Sequence, residues 1–281
     1  MGKLSSALPQ NLRGLARKLR FAWRNAPFKQ YVIHNRNMGG AQFDFLIGDI
    51  DGHEWYGDVE RLSPEMAFLR ETMVQPEDVV FDCGAHHGFL TILLASWAGL
   101  GGRVIAFEAS PSSARILAKN ISGNRLEDRV TVEPKAVGAT AGVMHFSEES
   151  NAIALKGDHP GGTIVPVVPL DDYLPLQPDL IKLDVEGCEI EALAGAARVL
   201  EHRPKLAIEV HVDMIASRGR KAIELFEHVR AEHYDFWLQP GVHETPRPYD
   251  GENLDELHMN QLHLYALPRT GTSITALKSS S

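Results

Sequence analysis

From residue 79 onward, short apolar runs alternate with helical segments, and four of those runs end in acids. Val79-Val80-Phe81 runs into Asp82, and Arg103 to Phe107 runs into Glu108. Asp179 to Leu183 leads to Asp184-Val185-Glu186-Gly187, and Lys205 to Val210 ends near Glu209 and His211. Strands buried on both faces read as continuous apolar runs, and with intervening helices they make a mostly parallel sheet. In such a sheet, ligands bind beyond the carboxyl ends of the strands, near the point where the strand order reverses. The acids therefore belong to one rim, and that rim is where function is expected. Helices are expected over 89–97, 112–120, 189–200 and 220–232, with further strands near 130–132, 236–239 and 262–267.

The first strand end reads Asp82-Cys83-Gly84-Ala85-His86-His87-Gly88. Gly84 would allow a sharp turn and a close approach by a ligand. Gly88 would seat the next helix against the strand. Glu108, at the end of the second strand, can accept hydrogen bonds from two ribose hydroxyls. A glycine turn followed by such an acid points to an adenosine-type ligand. A dinucleotide fingerprint needs G-x-G-x-x-G, and here His86 and Phe89 occupy two of the glycine positions. No G-x-x-x-x-G-K-[ST] is present, which excludes a P-loop. Asp82 would repel a pyrophosphate but suits the sulfonium and ammonium of S-adenosylmethionine.

Residues 79–211 resemble FkbM-type S-adenosylmethionine-dependent methyltransferases. The stretches that carry the resemblance are 79–88, 104–111, Asn120, 168–173, 179–189 and 209–211. The resemblance implies a class I methyltransferase (Rossmann-like) α/β fold. That is a seven-stranded, mostly parallel sheet with helices on both faces and an antiparallel last strand. It implies transfer of a methyl group to a hydroxyl of a sugar, a glycan or another natural-product small molecule. Carried over by position, Asp82, Gly84, Ala85, His86 and Gly88 would shape the methionine end of the cofactor site, with Asp184 beside them. Glu108 and Ala109 would hold the ribose end. His86 departs from the family, which usually has Asn there.

An alkyl hydroxyl must lose its proton as the methyl group arrives, and a His or carboxylate in reach can take it. Asp184, Glu186 and His211 are the candidates. His211 is the expected base, since neutral imidazole is poised near pH 7, with an acid orienting it. Asp184, Glu186, Glu209 and His211 are also the residue types that could hold a hard divalent cation. Sequence alone assigns no metal. Glu189 and Glu191 read as acids at a helix N-terminus. Cys83 and Cys188 read as small buried residues, and the tryptophans as packing.

The chain has 281 residues, 44% of them apolar and 23% charged, which is enough for a large core without disulfides. Net charge is -9, yet residues 1–43 hold eight Lys or Arg and no acid, so the body is strongly acidic. Such a body argues against nucleic acid as a partner. Residues 1–30 read as a basic amphipathic helix that could meet a membrane surface or a protein. Residues 31–75 read as an extension: short strands with turns at Met38-Gly39-Gly40 and Asp51-Gly52, then a helix capped by Ser63. Residues 76–269 are the cofactor-binding domain, and 270–281 a polar, disordered tail. Neither a membrane span nor a secretory signal is visible, so a cytoplasmic location is expected. Two alternatives remain at this stage. One is a catalytically silent binding module docked to a membrane or partner, and the other is a nucleotide-cofactor oxidoreductase.

Overall fold

The computed structural model describes residues 28–147, 153–155, 163–257 and 259–269. The expected basic helix over 1–30 lies almost wholly outside the described residues, and so does the 270–281 tail. The chain opens with an antiparallel hairpin, β1 (Tyr31–Met38) and β2 (Ala41–Ile47). Helix α1 (Ile50–Tyr56) follows, then α2 (Pro64–Phe68). Asp51-Gly52 is thus the first turn of a helix rather than a hairpin turn. Asp49 caps it by accepting from the Gly52 N–H at 2.8 Å. Ser63 caps α2 as expected, accepting from the Met66 N–H.

The central strands are β3 (Val79–Cys83), β4 (Arg103–Phe107), β5 (Val130–Glu133), β10 (Leu180–Leu183) and β11 (Lys205–Val210). They run parallel in the order β11-β10-β3-β4-β5. Strand β14 (Leu262–Pro268) inserts antiparallel between β11 and β12 (Tyr234–Gln239). This is the expected mixed sheet with its antiparallel last strand. An eighth, two-residue strand, β13 (Arg247–Pro248), extends the edge from within the loop 240–256. Strand order reverses between β3 and β10, so the rim there is the switch point.

Both faces of the sheet are covered. Phe81, Ile105, Ile181 and Leu206 pack with Ile190 and Leu193 on one side. Val80, Val104, Leu180 and Ala207 pack with Phe89, Leu93 and the hairpin residues Phe43, Phe45 and Ile47 on the other. Helix α3 (Phe89–Trp97) and helix α4 (Pro111–Gly123) carry the hairpin. Asn120 ties it down: its Oδ1 accepts from the Leu46 N–H at 2.7 Å, and its Nδ2 donates to the carbonyls of Leu46 and His87. One buried amide thus couples the extension to the glycine turn.

Two helix expectations are corrected. The helix over 189–200 is two pieces, α5 (Glu189–Ala194) and α6 (Ala197–Leu200), broken at Gly195, where a Cβ would meet the Gly138 carbonyl oxygen at 2.1 Å. The helix over 220–232 is two short 3-10 turns, Ala222–Glu227 and Ala231–His233. Between β5 and β10 lies a second sheet of four strands: β6 (Ala136–Val137), β7 (Gly142–Ser147), β8 (Ile153–Leu155) and β9 (Thr163–Val168). Its exposed Val143 and Ile164 break the inward apolar alternation by which a strand is read.

Candidate active site

The carboxyl ends of β3, β4, β10 and β11 open into a cavity of about 1030 Å³. That exceeds the ~300–1,000 Å³ of typical ligand pockets. Asp82, Gly84, Ala85, His86, Glu108, Ala109, Asp184, Glu186 and His211 all line it, so sequence and structure converge on one place. Gly88 does not line it. A Cβ there would meet Leu117 Cδ1 at 2.3 Å, so Gly88 serves helix packing.

On the β3–β4 side, Gly84 turns with φ +85°, and a Cβ there would lie 1.8 Å from the Asp184 carbonyl oxygen. The space is therefore taken by the neighbouring strand end, and the glycine brings two site loops into contact. His86 adopts φ 49°, a left-handed conformation that suits Asn and is tolerated by His. Its N–H donates to Glu108 Oε2 at 2.7 Å, and the Ser110 N–H donates to Glu108 Oε1 at 2.7 Å. Burial pushes the Glu108 carboxyl up, to about 7, against the downward pull of those two bonds. The His86 ring stacks on His87 at 4.0 Å and meets Trp55 edge-on at 4.8 Å. Burial and the neighbouring His87 hold His86 down, to about 3, so it is neutral.

Between the two sides sits a residue the sequence reading missed. Lys182 pairs in register with Asp82 on β3 and Ala207 on β11. Its Nζ lies 3.1 Å from Asp184 Oδ2 and 3.8 Å from Asp82 Oδ1. Burial opposes its charge, but the carboxylates of Asp184 and Asp82 outweigh that and hold it above the usual lysine range. Asp82 Oδ2 accepts from the Thr91 hydroxyl at 2.6 Å, while its buried Oδ1 has no hydrogen-bond partner. The signal was available: a lysine inside the four-residue run Leu180–Leu183 of a central strand needs acids beside it.

On the β10–β11 side, His211 is the hub. Its Nδ1 lies 2.7 Å from Glu189 Oε1, and since a carboxylate only accepts, the imidazole donates there. The acid that orients His211 is therefore Glu189, fully buried at the start of α5. The opposite nitrogen, Nε2, faces Glu186 Oε2 at 3.5 Å, Glu209 Oε1 at 3.7 Å and Asp184 Oδ1 at 3.8 Å. Burial works against the imidazolium, but the Glu189 bond and the Asp184 carboxylate push His211 up, to about 10. It thus holds its proton at neutral pH in the free protein, where the sequence reading expects a neutral ring. Burial, then repulsion from Glu209, pushes Asp184 up. Among the described residues, two groups bring three metal-capable atoms within 4.8 Å: Asp49, His86 and His87, and Asp184, Glu186 and His211. In the first, His87 Nε2 is already bonded to Asp49 at 3.0 Å and His86 Nδ1 to the Tyr56 hydroxyl at 3.2 Å.

The extension lines part of the cavity. Asp49, Asp51, Glu54, Trp55, Tyr56 and Val59 line it, whereas the loop 240–256 contributes only Val242 and His243. Trp55 is 41% exposed, an open ring at the rim rather than the packing residue the sequence reading expects.

Residues 82–237 match the methyltransferase FkbM domain. The chain belongs to this family. The match is to a methyltransferase domain of an S-adenosylmethionine-dependent family, not to an oxidoreductase. Among its relatives is the hexuronic acid methyltransferase AglP of Haloferax volcanii, 28% identical over 175 residues. That match covers 59% of this chain and 65% of the relative, just under two thirds of its length. A ribosomal protein L11 methyltransferase of Chloroflexus aurantiacus is 33% identical over 78 residues, covering 28% of this chain and 23% of the relative. Among solved structures, the FkbM methyltransferase from Methylobacillus flagellatus is 21% identical with a TM-score of 0.49. It covers 76% of this chain and 50% of that one. Among the described residues, no helix is long and apolar enough to cross a membrane.

Proposed function

We propose that the chain methylates a hydroxyl group of a sugar or glycan. The observation that carries this reading is the set of carboxylates around His211, proton-accepting groups on the wall of a cavity with room for a second ligand. The likeness to a hexuronic acid methyltransferase supports a sugar acceptor. S-adenosylmethionine, when bound, supplies a methyl group already activated by its sulfonium.

The residues of the β3–β4 side fit that cofactor. Glu108 spends one lone pair of each oxygen on a backbone N–H and keeps the others for the ribose hydroxyls. Asp82 offers its buried Oδ1, which accepts no hydrogen bond and has Lys182 Nζ 3.8 Å away, to a cationic group. Gly84, Ala85 and Ala109 leave the rim low there. The acceptor occupies the β10–β11 side and reaches toward α1, whose Trp55 meets the His86 ring edge-on. The exposed Trp55 gives a sugar ring an aromatic face, and Asp51 and Glu54 give its hydroxyls acceptors. The carboxylates of Asp184, Glu186 and Glu209, gathered around the protonated His211, receive the proton that the acceptor loses. Alignment of donor and acceptor within one cavity supplies much of the rate enhancement.

The test is transfer from S-[methyl-13C]adenosylmethionine to a panel of uronic acid, neutral sugar and phenolic acceptors, read by mass and by NMR. Methyl ethers on sugar hydroxyls are expected. Transfer to phenols alone would overturn the sugar reading, and cofactor binding with no transfer at all would restore the silent-module alternative.

A further inference from the structure

We propose that this methyltransferase holds a divalent cation between His211 Nε2 and the carboxylates of Asp184 and Glu186, with Glu209 at the edge of the site. The inference deepens the acceptor-site reading above and rests on it.

Geometry carries it. His211 is only 7% exposed, and its Nε2 points into the cluster without making a hydrogen bond. Three carboxylate oxygens surround that nitrogen at 3.5, 3.7 and 3.8 Å. Those gaps are too long for hydrogen bonds. They are close to the spacing of neighbouring ligands that each sit about 2.0–2.2 Å from a common ion. The ring is also held as a metal-binding histidine is held. Its far nitrogen donates to a buried carboxylate, which fixes the direction of the ring, and a cation at Nε2 takes the place of the proton held there in the free protein. Glu189 supplies that carboxylate and is itself braced by the Gly187 N–H at 3.1 Å. Asp184 is similarly set, because Lys182 engages Oδ2 and leaves Oδ1 turned toward His211.

Charge balance points the same way. Asp82, Asp184, Glu186, Glu189 and Glu209 converge here, with Lys182, His211 and His263 as the basic groups among them. An acceptor bearing a carboxylate, as a uronic acid does, would meet a like-charged wall. A cation on that wall turns repulsion into attachment. It also acidifies a bound hydroxyl, whose proton can leave to a neighbouring carboxylate while the O–C bond forms and the C–S bond breaks. In the other cluster, Asp49 already bonds His87 Nε2 and the Tyr56 hydroxyl already bonds His86 Nδ1. One imidazole among carboxylates suits ions such as Mn2+ better than soft metals.

The test titrates MnCl2 into the full chain and follows the loss of the free-ion EPR signal, with and without S-adenosylhomocysteine. One Mn2+ per chain is expected in both conditions. Affinity should fall at least about tenfold in Glu186→Gln and in Glu189→Gln, which never touches the ion. Glu108→Ala should leave Mn2+ binding unchanged. Calorimetry with S-adenosylhomocysteine on the same samples shows that Glu186→Gln and Glu189→Gln are folded, and circular dichroism melting shows it for Glu108→Ala. No binding of Mn2+, Mg2+ or Zn2+ up to about 1 mM by protein that binds the nucleotide would overturn the inference alone. So would displacement of Mn2+ by the nucleotide, or affinity unaffected by Glu186→Gln. Mn2+ binding without any nucleotide binding would instead count against the acceptor-site reading.

Discussion

The two sides of the cavity are built from the same kind of strand end, yet they satisfy their polar groups differently. On the β3–β4 side, Glu108 takes two backbone N–H groups at 2.7 Å each, and the His86 ring is stacked and hydrogen-bonded. On the β10–β11 side, His211 Nε2 and three carboxylates face one another across gaps of 3.5–3.8 Å. The first side is pre-organised for a ligand that brings hydroxyls and a modest positive charge. The second awaits a proton donor or a cation. A methyltransferase needs both environments next to each other, and Lys182 separates them while keeping the buried acids compatible.

Substitutions can break this contrast. The largest effect is expected at Gly84, where the two sides touch. Gly84→Ala would drive a Cβ into the Asp184 carbonyl at 1.8 Å in a left-handed turn. A loss of about 3 kcal/mol or more is expected in urea denaturation. A loss below about 1 kcal/mol would mean that the loops are not held together as described. Next comes Lys182→Met, which leaves Asp82 and Asp184 buried without their cation. It should cost about 3 kcal/mol at pH 8. The penalty should shrink as pH falls and the stranded carboxyls take up protons. A penalty that does not vary with pH would show that packing, not charge, is the role of Lys182.

A smaller effect sharpens the comparison from the cofactor side. Burial holds the Glu108 carboxyl up, to about 7, in the free protein. Only the ionised form accepts from both ribose hydroxyls, so nucleotide affinity should rise with pH through that value and level off above it. Isothermal titration between pH 6 and 8.5 checks this, and a flat profile would remove Glu108 from the cofactor contact. The smallest effect is expected at the rim. Trp55→Ala should raise the acceptor KM about fivefold, roughly 1 kcal/mol of lost ring contact, with nucleotide affinity unchanged. An equal loss of nucleotide affinity would place Trp55 on the wrong side.

Much of this arrangement is legible from the chain alone, for a physical reason. A central parallel strand tolerates polar residues mainly where it leaves the core, so Asp82, Glu108, Asp184 and Glu209 advertise the rim. Residues whose role depends on a partner far away in sequence are not legible in the same way. Glu189 looks like any acid at a helix start, and only the fold brings it 2.7 Å from His211. Lys182 looks like an interruption until the register sets it beside Asp82. Asp51-Gly52 has the composition of a turn, but the Asp49 cap and the packing of Tyr56 on Phe89 at 5.1 Å make it helical. The second sheet stays hidden because its strands are short and partly exposed.

The most direct test of the two-sided cavity is calorimetric titration of S-adenosylhomocysteine into the native protein, Glu108→Ala and Glu186→Gln. Removing Glu108 deletes two charge-assisted hydrogen bonds, so affinity should fall at least about 100-fold. Glu186→Gln should bind within about threefold of the native protein, because its carboxylate belongs to the acceptor side. Equal losses in both variants, or no loss in Glu108→Ala, would contradict the division of the cavity into a cofactor side and an acceptor side.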